Sequence, residues 1–119
     1  MANGKKVWFF ADGYLPEKQN GIDCHEALML FNANECEAEV VIDIYFSDRD
    51  PVKGIKVTVG AERVKTLRLD HSEDTAGYEI PPLTQYSLRI TSTIPIISQF
   101  GRLDVGDYSY YVNTPYWEE

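Results

Sequence analysis

Short stretches in which apolar and polar residues alternate recur along the chain and predict β-strands. The clearest is residues 38–46, AEVVIDIYF, whose apolar face consists of Val40, Ile42, Ile44 and Phe46. A strict period of two over this length indicates a half-buried strand with one face toward a core. The next five residues, SDRDP (47–51), form a charged turn, because Asp and Ser favour turns and Pro ends strand pairing. This stretch predicts a core strand that delivers a charged turn to one end of the domain.

The same alternation predicts further strands, with turns between them. They cover residues 6–11, 24–31, 55–59, 63–69, 86–90, 96–103 and 108–112. Breaks are predicted at residues 12–16 and at the turn 92–95, and a bulge near Lys65-Thr66 would bring Val64 into phase with the leucines that follow. Seven or eight short strands without a substantial helix predict an all-β fold, an antiparallel β-sandwich of jelly-roll or Ig-like type.

Length and composition favour one globular domain. The chain has 119 residues, of which 44% are hydrophobic and 25% charged. We expect a single domain over residues 1–119, with flexible tails at 1–5 and 113–119. No apolar run approaches the ~20 residues of a membrane span, and the run at 7–11 is too short for a secretion signal. The sequence therefore predicts a cytoplasmic protein.

The cysteines and histidines do not form a pattern that predicts a metal or a cofactor. Cys24 and Cys36 flank a predicted strand and are expected to be free, since an extended strand holds its ends too far apart for a disulfide. No CxxC motif is present, and the histidines are His25 and His71. The acidic loop DHSED lacks the glycine and distal glutamate of a calcium loop. We predict no cofactor and no metal.

The charged turn is a candidate polar site. Asp48, Arg49 and Asp50 are expected first to have a structural or assembly role, as an ion-pair contact with Arg102 or Asp104 within or between subunits; a ligand site and an exposed turn are the alternatives. An exposed pair would stabilise the protein by only ~0–1 kcal/mol. Catalysis has little support, because no nucleophile elbow, zinc-protease or phosphate-loop motif occurs. His25 and Glu26 are neighbours on a strand and so point to opposite faces. We predict that the protein is not an enzyme.

The aromatic residues are candidates for contacts. Subunit or partner contacts are predicted for Trp8, Phe10, Tyr108, Tyr110, Tyr116 and Trp117. Tyr and Trp are common at protein interfaces, where a large ring keeps a polar group hydrated. Exposed rings can also stack on sugars, and the candidates for this are Tyr14, Tyr45, Tyr116 and Trp117.

Five segments together resemble the Anabaena sensory rhodopsin transducer family. They are ADGYLP (11–16), HEALMLFNAN (25–34), IDIYFSDRDP (42–51), KVTVGAERVKTLRLD (56–70) and TIPIISQFGRLD (93–104). YFSDRDP with the downstream GRLD is the most specific combination. Residues 70–82 and 108–119 match none of the family's segments.

The resemblance implies a small cytoplasmic β-sandwich that assembles into a homotetramer and acts as a soluble signalling partner of a membrane photoreceptor. The family's sandwich is also similar to carbohydrate-binding modules, and a DNA-regulatory role is associated with it. A carbohydrate-binding module is therefore the alternative. Nucleic-acid binding ranks third because the net charge is −8, and it would use Lys53, Lys56, Arg63, Lys65 and Arg68.

Overall fold

Eight strands and one short 3₁₀ turn make up the described chain. The computed structural model describes residues 3–16, 24–104, 109–112 and 115–119, with the backbone alone at 104 and 109–112. The strands are β1 (Lys5–Tyr14), β2 (His25–Asn32), β3 (Ala38–Phe46), β4 (Val52–Val59), β5 (Arg63–Arg68), β6 (Gln85–Asp104), β7 (Ser109–Val112) and β8 (Tyr116–Glu118). The 3₁₀ turn is Ser72–Thr75. Within these residues, no helix has the length and apolar character needed to cross a membrane.

Strand β6 organises the fold because it belongs to both layers of the sandwich. Its first half pairs with β1 and β3, which gives the first layer, in the order β4-β3-β6-β1-β8. Its second half, from Ile97 onward, pairs with β2 and β7, and β5 pairs with β2 to complete the second layer. All of these pairings are antiparallel. The predicted all-β sandwich is confirmed.

The predicted turn at residues 92–95 is wrong, because β6 runs through it. Lys5 pairs with Ile96 and Val7 with Thr91, so the register on β1 shifts here. Ile96 pairs with the first layer and Ile97 with the second. The Ser, Thr and Pro residues therefore mark an irregularity where β6 passes between layers, a position that tolerates proline. The break predicted at residues 12–16 likewise begins as a register shift within β1, between Phe10 and Gly13.

The bulge predicted near Lys65-Thr66 is also wrong. Strand β5 pairs with β2 in unbroken register from Arg63 to Arg68. Leu67 and Leu69 are buried, whereas Val64 points outward and is exposed. The apparent phase error in the sequence is an apolar residue on the outer face.

The core fills the space between the two layers. Val40, Ile42 and Ile44 of β3 are buried, and Phe46 packs against them, as the alternation predicts. Across the core the rings of Phe10 and Phe100 lie 5.6 Å apart. Each fully buried side chain of this size stabilises the fold by about 1.5–3 kcal/mol, so the inward face of each strand is strongly specified.

The C-terminal residues and the cysteines complete the fold. Residues 116–118 pair with residues 7–9 of β1, so part of the predicted tail is a strand at the edge of the first layer. Both cysteines are free thiols, as predicted; Cys24 is buried and Cys36 is exposed.

Candidate functional site

A buried group of charged and polar residues lies between the two layers and is here called the Glu26 cluster. Glu26 of β2 is fully buried (0% exposed). Its carboxylate accepts hydrogen bonds from the backbone N–H of Tyr14 at 3.0 and 3.1 Å, from Arg102 Nε at 2.8 Å, and from the hydroxyl of Tyr86. Arg102 Nη2 donates to the backbone carbonyl of Asp12 at 2.9 Å. The cluster consists of these five residues and joins β1, β2 and both ends of β6.

Strand register brings the cluster together. Glu26 is directly opposite Arg102 across β2 and β6, and residues paired in this way lie on the same face of the sheet. Glu26 is in phase with the buried residues of β2, so its side chain must enter the core. Tyr86 reaches it from the other end of β6, beside Gly13. A Cβ at Gly13 would lie 2.4 Å from the Tyr86 ring, so only glycine fits here.

Burial and hydrogen bonding act in opposite directions on the cluster's acidic groups. Burial raises the pKa of Glu26 above its ordinary value, and the hydrogen bonds from Tyr86, Tyr14 and Arg102 oppose this rise. Burial and the neighbouring Glu26 carboxylate raise the pKa of Tyr86 well above its usual range. Because Tyr86 keeps its proton, it remains a donor to Glu26. The cluster is thus an internally bonded ion pair whose clearest effect is to fix the relative positions of three strands.

A second polar group lies on the outer face of the first layer. Asp43 Oδ2 accepts hydrogen bonds from Arg89 Nη2 at 2.8 Å and Nε at 3.2 Å, and Oδ1 accepts one from the backbone N–H of Gly54 at 2.9 Å. Burial tends to raise the pKa of Asp43, but the bonds from Arg89 and Gly54 and the charge of Lys53 outweigh it and lower the pKa. The carboxylate is therefore held ionised.

This polar group belongs to a row of side chains that crosses the layer. Arg89 is opposite Asp43 on one side and Phe9 on the other, and Phe9 is opposite Tyr116. The rings of Phe9 and Tyr116 are 5.8 Å apart. The next outward position of β3 is Tyr45, and both Arg89 and Lys53 lie 5.7 Å from the centre of its ring. We call Tyr45, Asp43, Arg89 and Lys53 the Tyr45 face.

The charged turn after β3 is exposed and internally paired. Arg49 Nε and Nη2 each donate to the Asp48 carboxylate at 2.9 Å, and this hydrogen bond lowers the pKa of Asp48. Arg49 also lies 5.2 Å from the centre of the Phe46 ring, and Asp50 is exposed. Within the described chain, the turn does not contact Arg102, whose guanidinium is hydrogen-bonded within the Glu26 cluster.

The remaining residue of the predicted polar set is Asp104, which ends β6 and whose side chain lies outside the described residues. A contact between the turn and a neighbouring subunit stays a prediction.

Two of the predicted contact residues lie in the core instead. Phe10 is only 1% exposed and Trp8 only 8%. The indole Nε1 of Trp8 donates to the carbonyls of Lys5 at 3.0 Å and Ile96 at 3.1 Å. Neither ring is available at the surface of the folded chain, because both lie on the face of β1 that packs against the core.

The C-terminal aromatic residues are exposed, as their predicted role as contacts requires. Tyr116 is 63% and Trp117 47% exposed, and the Lys5 ammonium lies 4.4 Å from the centre of the Trp117 ring. Tyr108 lies outside the described residues, and Tyr110 is described only by its backbone in β7.

Tyr14, predicted as a sugar or polar contact, has a partly exposed ring, while its backbone N–H donates to Glu26 in the Glu26 cluster.

Sequence reasoning missed the roles of Glu26, Asp43 and Arg89. A signal was present for the first of these, because Glu26 is in phase with Leu28 and the distant Arg102 is in phase with Phe100. An acid and a base that both fall on core faces indicate a buried pair. The sequence did not show that their strands are neighbours.

The basic residues named for nucleic-acid binding lie among acids. Lys56 and Lys65 line one cleft between β4 and β5, together with Glu73 and Asp74. Among the described residues, no group of three or more His, Cys, Asp or Glu is arranged to hold a metal ion.

Arg68, another base of this set, is paired with Asp70 at 2.7 Å. The five bases therefore do not form an uninterrupted cationic strip.

The fold and these sites define a small β-sandwich protein with a buried ion pair and exposed aromatic and apolar surfaces. The family model for the Anabaena sensory rhodopsin transducer matches residues 3–115, which include the loop at 70–82 and most of the C-terminal segment. The chain belongs to this family.

The solved structures that are similar to it include the following two. Thermotoga maritima 1070 is 36% identical, with a TM-score of 0.83, over 98% of this chain and 97% of that one. The Anabaena sensory rhodopsin transducer is 32% identical, with a TM-score of 0.70, over 84% of this chain and 98% of that one. No curated protein matches the sequence.

Proposed function

We propose that the protein is a non-enzymatic signalling adaptor in the cytoplasm, which acts through protein contacts as a homo-oligomer, with four copies as the expected assembly. Its partner is the cytoplasmic face of a membrane sensor. The family match over residues 3–115 and the similarity to a protein named as a sensory rhodopsin transducer support this proposal. The charged clusters support the non-enzymatic part of the proposal. The Glu26 and Asp43 carboxylates each accept hydrogen bonds from groups of the same chain.

The exposed pair Tyr116 and Trp117 carries the proposal. The two rings lie on β8, at the edge of the first layer, where a short strand leaves main-chain groups open to a partner. Tyr and Trp are the residues most often found at the energetic centre of protein interfaces. Lys5 lies beside Trp117, and its ammonium pairs with the Glu119 carboxylate at the same edge, so the two rings are flanked by a compensated pair of charges.

Co-sedimentation with lipid vesicles tests the adaptor role. The chain is expected to sediment with vesicles that contain a reconstituted microbial sensory rhodopsin and to stay in solution with protein-free vesicles. The Trp117→Ala variant should bind at least about tenfold more weakly, a change of about 1.4 kcal/mol. Leu83→Ala is the matched control, because Leu83 is similarly exposed but lies in a loop away from β8. Equal sedimentation with both kinds of vesicle, or with neither, would contradict the proposal.

The alternative function, a carbohydrate-binding module, is favoured by one observation. The Tyr45 face combines a half-exposed ring with Asp43 and Arg89, which supply an acceptor and a donor beside a stacking platform. Titration calorimetry against a panel of glycans would detect such binding, and Tyr45→Ala should remove the heat while Tyr14→Ala keeps it. No heat from any glycan would count against this alternative.

A further inference from the structure

One edge of the first layer is open to an added strand. Strand β4 stands at the end of the order β4-β3-β6-β1-β8, so among the described strands it pairs with β3 alone. The Glu39 N–H donates to Thr93 Oγ1 at 3.0 Å, so the main-chain groups of Glu39 point toward β6. Its partner on β4 is Thr58, and the main-chain groups of such a pair point away from each other. Thr58 and Lys56, two positions earlier, therefore direct their main-chain groups to the open edge.

Lys65 of β5 covers part of this edge. Its Nζ donates to the Thr58 carbonyl at 3.0 Å, which agrees with a carbonyl that points away from β3. An ammonium only donates hydrogen bonds, so Lys65 satisfies neither the Thr58 N–H nor the Lys56 N–H. The Lys65 side chain is exposed, so its single hydrogen bond contributes little net stability and an incoming strand can replace it.

A cleft lies beside this edge, between β4 and β5. It has a volume of about 360 Å³, and its lining includes the buried Leu67 and the half-buried Val57, which give it an apolar floor. A strand added to β4 would turn every second side chain toward this cleft. The cleft therefore contributes side-chain contacts to a partner that the main-chain groups of β4 hold.

The two ends of the cleft carry opposite charges. Lys65 lies at the end nearer the turn between β4 and β5, where it reaches Thr58. Glu73 and Asp74 of the 3₁₀ turn also line the cleft, and Asp74 accepts a hydrogen bond from the Arg68 N–H at 2.8 Å. Because Arg68 is three residues along β5 from Lys65, the basic and acidic ends are about 10 Å apart.

This arrangement of charges favours a peptide that carries both signs. Side chains two positions apart on an added strand lie about 6.6 Å apart on one face, and the length of Glu or Lys side chains covers the remaining distance. An acid would then pair with Lys65 and a base with Glu73 and Asp74. A polyanion is repelled at the acidic end and a polycation at the basic end, so the cleft selects against both.

We propose that the open edge of β4 is a docking site for an extended peptide segment of another protein. The segment adds to the first layer as a strand and places one acidic and one basic side chain, two positions apart, in the cleft. Main-chain hydrogen bonds supply the affinity and the two charged side chains the specificity. The Lys65 ammonium leaves the Thr58 carbonyl and pairs with the acid of the peptide. Strands β4 and β8 lie at opposite ends of the layer, so this site is separate from the proposed β8 contact and goes beyond it.

Titration of the ¹⁵N-labelled chain with synthetic peptides, followed by NMR, tests the site. Ac-STEVKTS-NH₂ and Ac-STKVETS-NH₂ carry the acid and the base in the two orders that a parallel and an antiparallel strand require. One of them should shift the Lys56 and Thr58 amide resonances, with a dissociation constant of about 1 mM or below. Ac-STEVETS-NH₂ and Ac-STKVKTS-NH₂ should bind at least about tenfold more weakly, because like charges meet at one end of the cleft.

Variants of the chain separate the main-chain bonds from the charges. Thr58→Pro removes an N–H that faces the edge, a place where an edge strand tolerates proline, and should abolish binding of every peptide. Thr58→Val keeps this N–H and the side-chain shape, so it is the matched control and should bind as the wild type does. Glu73→Lys should weaken binding of the mixed-charge peptide at least about tenfold, and it carries the test if Thr58→Pro does not fold. Its control is Glu79→Lys, at an exposed acid outside this cleft.

The outcomes are decisive for the site and leave the adaptor role to its own test. Binding of one mixed-charge peptide that Thr58→Pro or Glu73→Lys weakens, and that the controls keep, supports the proposal. Equal binding of all four peptides, or no shift at β4 with any of them, overturns it. If no peptide binds and Thr58→Pro lowers the oligomeric mass, a second copy occupies the edge and the proposal fails. Trp117→Ala should leave peptide binding unchanged, so failure here does not affect the contact at β8.

Discussion

Replacement of Arg102 by Met is the sharpest test of the Glu26 cluster. Met retains much of the length and apolar bulk of the arginine stem but removes the charge that lies 2.8 Å from the Glu26 carboxylate. Glu26 is then a fully buried carboxylate without its counter-charge. Removal of one partner of a buried ion pair costs about 3–5 kcal/mol. A domain with a total stability of about 5–15 kcal/mol would lose a large part of it.

The loss should depend on pH in a defined direction. Burial already raises the pKa of Glu26 in the folded protein, and removal of Arg102 raises it further. In the unfolded chain a glutamate has a pKa of about 4.3. Below that pH the Glu26 carboxyl is protonated in both the folded and the unfolded protein, so Arg102→Met lowers the free energy of unfolding least. As the pH rises from the unfolded pKa through the folded one, the buried group must ionise without a partner, and the penalty grows to its full size.

Urea unfolding followed by tryptophan fluorescence measures the effect at one fixed protein concentration, since self-association would itself shift the midpoint. With a slope of about 2 kcal/mol per M, a loss of about 4 kcal/mol lowers the midpoint by about 2 M at neutral pH. The Glu26→Gln/Arg102→Met double variant should lose less than the sum of the single changes, because no charge remains buried. A loss below about 1 kcal/mol at pH 7, or the same loss at pH 7 and pH 4.5, would refute the reasoning.

Two further predictions use the same unfolding assay. Gly13→Ala should lower the urea midpoint by an amount equivalent to about 1–3 kcal/mol, because the added methyl group would lie 2.4 Å from the Tyr86 ring. Gly60→Ala is the control, because the nearest atom to its methyl group would be 3.4 Å away. Equal midpoints for the two variants would contradict the clash. Asp43→Asn should lower the midpoint at pH 7, because the bond to Arg89 holds a carboxylate whose pKa is lowered. That difference should shrink as the pH falls below the unfolded value of about 3.9 and through the lower folded pKa, and a difference independent of pH would argue against an ionised pair.

Local periodicity was enough to predict most of the strands and most of their inward faces. The alternation of β3 placed Val40, Ile42 and Ile44 in the core, where they lie. The separation of Cys24 and Cys36 by an extended strand predicted free thiols, which the structure confirms. These results follow because a strand turns successive side chains to opposite faces, whatever its neighbours are. The breaks were less predictable, since the same Ser, Thr and Pro residues that favour a turn also fit an irregularity within β6.

The sequence by itself thus determined which residues share a face of most strands, and only the tertiary structure decided which of them meet. Glu26 and Arg102 are 76 positions apart, and their bond exists because β2 is the neighbour of the second half of β6. The outward row of Phe31, Val64 and Ile97 depends on the same pairing and on the register of β5. Strand partner and register are set by the packing of the whole core, so the charge cluster and this apolar row become visible only after the layers are assembled.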